Sequence, residues 1–319
     1  MSQATIDKLN KLPDSEIAIE LKNVTKDYGN NRGIFDVSLR IPKGCTFGYC
    51  GTNGSGKTTT IRHMMGFIKP DKGTVTISGL DPISKGVEIK KDIGYLPGEI
   101  AFPSVNNGSD FLKIQAEMVG LEDMSKAEYI INKMQLDPTA NLRRMSKGMK
   151  QKTAIVAAFM HSPSIILLDE PTTGLDPLMR EAFIDILEEE KAKGATIFMS
   201  NHMFDELDET CDYVAFIKDG KIVDIVDLEE IHNRPFREYI ITFFEEDEYK
   251  IAFKNEFKIL NRNDNLKVMV VHVDLNSTDK FINELKKYKL KNVTELKYTL
   301  EKYFLEHFGG EVNGTSEEK

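Results

Sequence analysis

The chain has no long apolar run. Its longest stretches, Ala154 to Met160, Ile165 to Leu168 and Val268 to Val271, fall far short of the ~20 apolar residues a membrane-spanning helix needs. A membrane role is therefore expected only through a partner. The amino-terminal segment MSQATIDKLNKLPDSE is polar and lacks the apolar core of a secretory signal. Cysteine is scarce: Cys45, Cys50 and Cys211 form an odd set without metal-ligand spacing, which points to a reduced, cytosolic compartment. Basic residues are outnumbered, 42 Lys and Arg against 51 Asp and Glu, for a net charge of −9. That balance argues against nucleic acid as a partner, because nucleic-acid binding usually leaves a basic footprint. Internal repeats and sustained heptads are also missing.

What is present is an ordinary globular composition, 40% hydrophobic and 29% charged over 319 residues. Residues 1–15 read as a flexible tail. From Ile17, strand-like IAIELKNV and FDVSLRI precede a third strand, CTFGYC, which runs into a glycine-rich loop at Gly51. The helical pattern TTTIRHMMGF follows, then the strand TVTISG. Between about 104 and 144 the pattern turns helical, with FLKIQAEMV and AEYIINKMQL carrying apolar residues three or four apart. The continuous apolar strand IILLD then reads as buried on both faces, as in a parallel sheet. A helix (MREAFIDILEEEKAKG), the strand TIFMS and two short strands about Lys218-Asp219-Gly220 complete an alternating α/β order. Beyond Leu228, YIITFF and VMVVHV read as strands and DKFINELKKY and TLEKYFLEHF as helices. The expected organisation is a main domain over 16–232, a small α/β accessory domain over 233–309 and a frayed tail over 310–319.

Gly51-Thr52-Asn53-Gly54-Ser55-Gly56-Lys57-Thr58 fits G-x-x-x-x-G-K-[ST] at every position, in the strand-loop-helix setting that such a loop requires. Its glycines let backbone N–H groups curl around a phosphate, and the following helix offers its amino terminus to an anion. Lys57 supplies a charge between β- and γ-phosphates, and Thr58 a hydroxyl for Mg²⁺. Thr59, next on that helix, is grouped with the nucleotide-binding residues. Asp169 ends an apolar strand at the sheet's carboxyl edge and is the second expected Mg²⁺ contact. Glu170 follows as a candidate general base for the attacking water.

Four further segments resemble the ABC-transporter ATPase superfamily over about residues 17–230. Met145-Ser146-Lys147-Gly148-Met149-Lys150-Gln151-Lys152 is similar to the family's signature segment. Leu168-Asp169-Glu170-Pro171-Thr172-Thr173-Gly174-Leu175-Asp176-Pro177 matches its Walker B and D-loop run. Met199-Ser200-Asn201-His202 stands where the family carries its switch histidine, and Tyr28 where an aromatic stacks on adenine. The resemblance implies a P-loop NTPase of ABC type, with an antiparallel β subdomain, a helical subdomain and, in this chain, the carboxyl-terminal accessory domain. It implies ATP held between one chain's phosphate loop and the signature of a second, head-to-tail chain. Ser146, Lys147, Gly148 and Met149 then face the partner's γ-phosphate, Asp176 links the two sites, and His202 holds the attack geometry.

Two departures stand out. Lys147 and Met149 replace a usual glycine and glutamine of the signature, and Gly98 then Glu99 stand where a Mg²⁺-sensing glutamine is usual. Glu99 is carried as a possible substitute metal ligand. The variants GYLPGE and SKGMKQK, with one ATPase domain per chain, resemble the ATPase subunits of bacterial drug and antimicrobial-peptide exporters that have separate permeases. That reading implies a location on the inner face of the cell membrane. It also implies a permease groove between the 93–99 loop and the 104–142 helices, with Phe102, Val105 and Phe111 as candidate lining. Two other readings are a soluble ABC-type ATPase and a regulatory module that holds ATP but barely hydrolyses it.

Overall fold

A computed structural model of the chain describes residues 2–253 and 256–308. The expected tail over 310–319 and residue 309 of the expected accessory domain lie outside them. Contacts divide the chain into two units, Met1–Leu228 and Glu229–Lys319.

The first unit opens with helix α1 (Ser2–Asn10), where the sequence reading expected a flexible tail. Ile6, Leu9 and Leu12 recur at helical spacing, and Leu9 is fully buried in the main core while Ile6 and Leu12 pack against it. Lys8 Nζ is 2.6 Å from the Oδ2 of buried Asp227. A helix this short is marginal alone and gains its stability from docking, which a mostly polar sequence conceals. Strands β1 (Ile17–Asp27), β2 (Gly33–Pro42) and, further on, β4 (Lys72–Ile77) form an antiparallel sheet in the order β2-β1-β4. Strand β3 (Thr46–Cys50) leads through the glycine-rich loop into α2 (Lys57–Met64).

After the short helix α3 (Gly86–Lys90) comes β5 (Ile93–Leu96), a correction to the reading of 93–99 as loop. Its four residues pair in parallel with Ile165–Leu168, and backbone bonds from a buried neighbour order a segment too short for a periodic signal. Helices α4 (Gly108–Val119) and α5 (Ser125–Lys133) make up the helical region, and α6 (Lys147–Phe159) starts at the signature segment. Then follow β6 (Ile165–Asp169), α7 (Pro177–Ala192), β7 (Thr196–Asn201), α8 (Phe204–Thr210), β8 (Tyr213–Lys218) and β9 (Lys221–Asp227). The central sheet has the order β5-β6-β7-β3-β8-β9, parallel except for the last pair. Every residue of β3, β6 and β7 is buried, as an interior parallel sheet covered on both faces requires.

Helix α9 (Leu228–His232) carries the chain into the second unit, which contains β10 (Phe236–Phe243), α10 (Glu246–Ile251), β11 (Lys258–Asn263), β12 (Val268–Asp274), α11 (Thr278–Leu285), β13 (Leu290–Leu296) and α12 (Leu300–Phe308). Its strands form an antiparallel sheet in the order β11-β12-β10-β13. The edge strands β11 and β13 are polar and largely exposed, with no apolar alternation, so the sequence reading passed over them. The inward face of β10 and β12 supplies Ile241, Phe243, Met269, Val271 and Val273 to a core closed by Tyr249, Phe253 and Phe281.

Candidate functional site

In the central sheet β6, β7 and β3 lie side by side, with Asp169 opposite Ser200 and Asn201 opposite Cys50. Three parallel strands thus release Glu170, His202 and the Gly51 loop at one carboxyl edge, where open α/β sheets bind ligands. Gly56 caps α2 at φ +113°, in the left-handed region that a side chain rarely adopts. The turn delivers Lys57 almost fully buried, its Nζ donating to the carbonyls of Gly51 (2.8 Å) and Thr52 (3.3 Å). The lysine is thereby bent back over the loop that it closes. Thr52, Asn53 and Gly54 are exposed and Ser55 is buried behind them. Thr59 is half-buried, and its carbonyl accepts from the His63 ring at 2.7 Å.

Thr58 Oγ1 donates to Asp169 Oδ2 at 2.6 Å, and Ser200 Oγ donates to Asp169 Oδ1 at 2.6 Å. The sequence reading missed Ser200; its signal was a polar pair, Ser200-Asn201, ending an otherwise apolar buried strand. Glu170 adopts φ +51°, a strained backbone for a residue with a side chain. Its N–H donates to the Ser200 carbonyl at 3.1 Å, so the strand crossing holds the turn. Glu170 Oε1 lies 3.4 Å from Lys57 Nζ and 3.7 Å from His202 Nδ1, so the two expected catalytic residues and the phosphate-loop lysine meet about one carboxylate oxygen.

The loop after Leu96 approaches the Asp169 carboxylate. A Cβ at Gly98 would stand 3.0 Å from Asp169 Oδ2, so a larger residue there would crowd Asp169. Glu99 is exposed. Tyr95 beneath it has its hydroxyl pushed up to about 12, first by burial and then by the Asp169 charge. Tyr28 is half exposed on the β1–β2 turn, with Lys26 Nζ 5.9 Å from its ring centre.

The signature residues assemble elsewhere. Ser146 caps α6 by accepting from Met149 N at 3.2 Å. Gly148 packs so closely on the Gly174 carbonyl that a Cβ would meet it at 2.8 Å, and the stem of Lys147 lies along Gly174. Gln151 Nε2 donates to the Pro171 carbonyl at 2.6 Å. Asp176 caps α7 through Met179 N at 3.0 Å. Among the described residues no hydrogen bond or ion pair joins Ser146–Met149 to the Gly51–Thr59 segment. One chain therefore brings together the phosphate loop, Asp169, Glu170 and His202, while its signature segment is bonded to the loop after Glu170 and not to the phosphate loop.

Away from this edge, Tyr95, Pro97, Phe102 and Phe111 help to line an apolar groove of about 550 Å³ with Lys90 and Lys91 on its wall. Phe102 and Phe111 meet edge to face at 4.8 Å, and Val105 lines an adjoining cleft. The three cysteines are all buried, and burial raises their thiols, Cys50 and Cys211 to about 12, so they are packing groups and not nucleophiles.

The ABC transporter family model matches residues 34–173. The ABC transporter ATP-binding protein YtrB of Bacillus subtilis is 30% identical over 302 residues, which is 92% of this chain and 98% of that protein. The chain belongs to the ABC transporter ATP-binding proteins. This ABC subunit accordingly binds ATP and is an ATPase of that family. It is also 33% identical to the bacitracin transport ATP-binding protein BcrA of Enterococcus faecalis, over 75% of this chain and 78% of the relative. A solved ATP-binding subunit of an ABC transporter superimposes with a TM-score of 0.61 at 28% identity, covering 67% of this chain and 92% of that one. The dimeric structure of a bacterial ABC transporter cassette gives 0.59 at 25% identity, over 66% of this chain and 98% of the other. No helix among the described residues is long and apolar enough to cross a membrane.

Proposed function

We propose that two copies of this ABC ATPase close head to tail on two ATP molecules and so energise export by a separate permease. The observation that carries the reading is that no signature residue is bonded to the phosphate loop of its own chain, while Ser146 and Lys147 are exposed on a segment held against the 171–174 loop. A second copy supplies what one chain withholds. Relatives named for bacitracin transport, lantibiotic transport and linearmycin resistance favour an exporter of antimicrobial compounds.

In the proposed site Lys57 contacts the β- and γ-phosphates, Tyr28 stacks on adenine, and Ser146, Lys147 and Gly148 of the second copy face the γ-phosphate. Glu170 accepts a proton from the attacking water as the water oxygen bonds to the γ-phosphorus and the bond to the β–γ bridging oxygen breaks. His202 contacts the γ-phosphate and keeps the water in line, while Asp176 carries the state of one site to the other. The hydroxyl of Thr58 and the carboxylate of Asp169, two hard oxygen donors 2.6 Å apart, suit Mg²⁺, which keeps most of its other positions for water and phosphate. Bound there, Mg²⁺ would neutralise charge on the β- and γ-oxygens. Glu99, exposed on the same loop as Gly98, is retained as a further acidic contact for that ion. The groove at Phe102 and Phe111 is proposed to seat the permease on the cytoplasmic face of the membrane.

The test is ATP hydrolysis and oligomeric state of the full chain beside Glu170→Gln. Expected is wild-type turnover that rises more than linearly with protein concentration, and a variant slowed by about a hundredfold or more that accumulates as an ATP-bound dimer. A Glu170→Gln chain that hydrolyses at the wild-type rate would sink the reading. Nucleotide binding without turnover or dimer, even with the permease present, would favour the regulatory-module reading.

A further inference from the structure

Glu206, on α8, is a buried carboxylate only 1% exposed that the reaction as described does not use. Its Oε2 accepts from Thr172 Oγ1 at 2.7 Å and from Asn201 Nδ2. Its Oε1 has no hydrogen-bond partner among the described residues and is met only by the charge of Arg180, whose Nη1 on α7 lies 3.4 Å away. Asn201 uses its other end, Oδ1, to accept the backbone N–H of His202 at 2.7 Å and of Met203 at 3.0 Å. Thr172 stands two residues beyond Glu170, on the loop that Gln151 of α6 grips through the Pro171 carbonyl. One carboxylate therefore ties the turn carrying His202, the loop leaving Glu170 and the helix capped by Asp176.

An ionised carboxylate only accepts hydrogen bonds, so it dictates which end of the Asn201 amide donates and leaves Oδ1 for the His202 backbone. Burying such a charge is costly unless it is fully bonded, and an apolar residue would fill the space at lower cost. We infer that Glu206 is a positioning residue for hydrolysis, acting through Asn201 on His202 and through Thr172 on the loop after Glu170. The inference rests on the proposed role of His202. Among the described residues Glu206 makes no hydrogen bond or ion pair to the phosphate loop, so it should act on turnover and not on nucleotide affinity.

The experiment compares MgATP hydrolysis by the full chain with Glu206→Ala, His202→Ala and the double variant. Glu206→Ala is expected to lower kcat by up to about a hundredfold, the scale for small misplacements at a reacting centre, with KM close to wild type. In the His202→Ala background the same change should add little. A slow His202→Ala chain in which Glu206→Ala multiplies the loss overturns this inference alone. A His202→Ala chain with wild-type turnover overturns the role of His202 and this inference with it. Two milder variants cover the case of a misfolded Glu206→Ala. Glu206→Gln keeps an oxygen for Thr172 and Asn201, so it should fold and retain most of the rate. Asn201→Asp removes the amide donor that Glu206 orients and sets a second carboxylate against it, so turnover should fall toward that of His202→Ala with KM close to wild type. Wild-type turnover in Asn201→Asp counts against the proposal.

Discussion

The first unit buries Lys57, Gln151, Asp169, Thr172, Ser200, Asn201 and Glu206 around one sheet edge, whereas the core of the second is built from Phe243, Tyr249, Phe253, Phe281 and aliphatic neighbours. Among the described residues of the second unit only Glu284 is a buried charged or polar side chain, and it is held by Lys287 and by Tyr288 at 2.7 Å. The difference teaches where each unit spends its stability. Buried polar groups cost free energy unless every bond is made, so a unit that keeps many of them at one edge is holding chemistry in place. Stacked and edge-on rings contribute mainly packing, with the Tyr249 hydroxyl reaching out to Asp264 at 2.6 Å. The strained Glu170, with its left-handed backbone, belongs to the first kind of construction.

This contrast predicts that damage in the two units separates by readout. The largest effect is expected from Asp169→Ala, which removes the partner of both Thr58 and Ser200. Steady-state assays should find turnover reduced by about a hundredfold or more, while urea unfolding records only the cost of Ser200 left without its acceptor, about 1–3 kcal/mol. Phe281→Ala should do the reverse. Its ring lies 4.7 Å from Tyr239, 5.5 Å from Phe257 and 5.9 Å from Phe253, and its removal should cost about 3–5 kcal/mol in urea unfolding. ATP turnover per folded molecule should stay near wild type; a matching collapse of turnover would break the contrast.

The smallest effect is a pH dependence within the first unit. His63 is buried, donates through Nδ1–H to the Thr59 carbonyl, and has no partner at Nε2 among the described residues. Burial lowers its proton affinity below the usual histidine value, and the same holds for His161. The unfolded chain takes up protons near pH ~6.5 that the folded chain refuses, so stability is full above that pH and declines below it. Urea midpoints should therefore fall between about pH 7.5 and 5.5, and His63→Gln should flatten part of the fall. An unchanged slope in His63→Gln would assign the decline to other groups.

Much of the first unit was legible. The phosphate loop, the IILLD strand and the segment ending at His202 are contiguous words whose chemistry is written in residue type and spacing. The edge strand β5 and helix α1 were not, because four residues carry no period and a polar helix declares itself only through what it docks against. In the second unit the aromatic strands were readable, but β11 and β13 were not, since an edge strand takes its order from the neighbour's backbone and needs no apolar alternation of its own. Glu206 was hidden for a related reason. An acidic residue in DELDE looks like a solvated helix face until the fold turns it inward.

The sequence alone determined that a strand, a glycine-rich turn and a helix would cradle phosphate, that Asp169 and Glu170 would end a buried strand, and that the chain would join the ABC ATPases. Those are local matters: backbone freedom at glycine, charge at a helix start, and apolar runs that must be covered. Tertiary structure decided which groups meet. Lys57, Glu170 and His202 come from segments separated by more than a hundred residues of chain at one end and converge only because β3, β6 and β7 stack in register. The signature's separation from its own phosphate loop, and the burial of Glu206 beneath His202, follow from the same stacking, for contact across a sheet depends on strand order and not on distance along the chain.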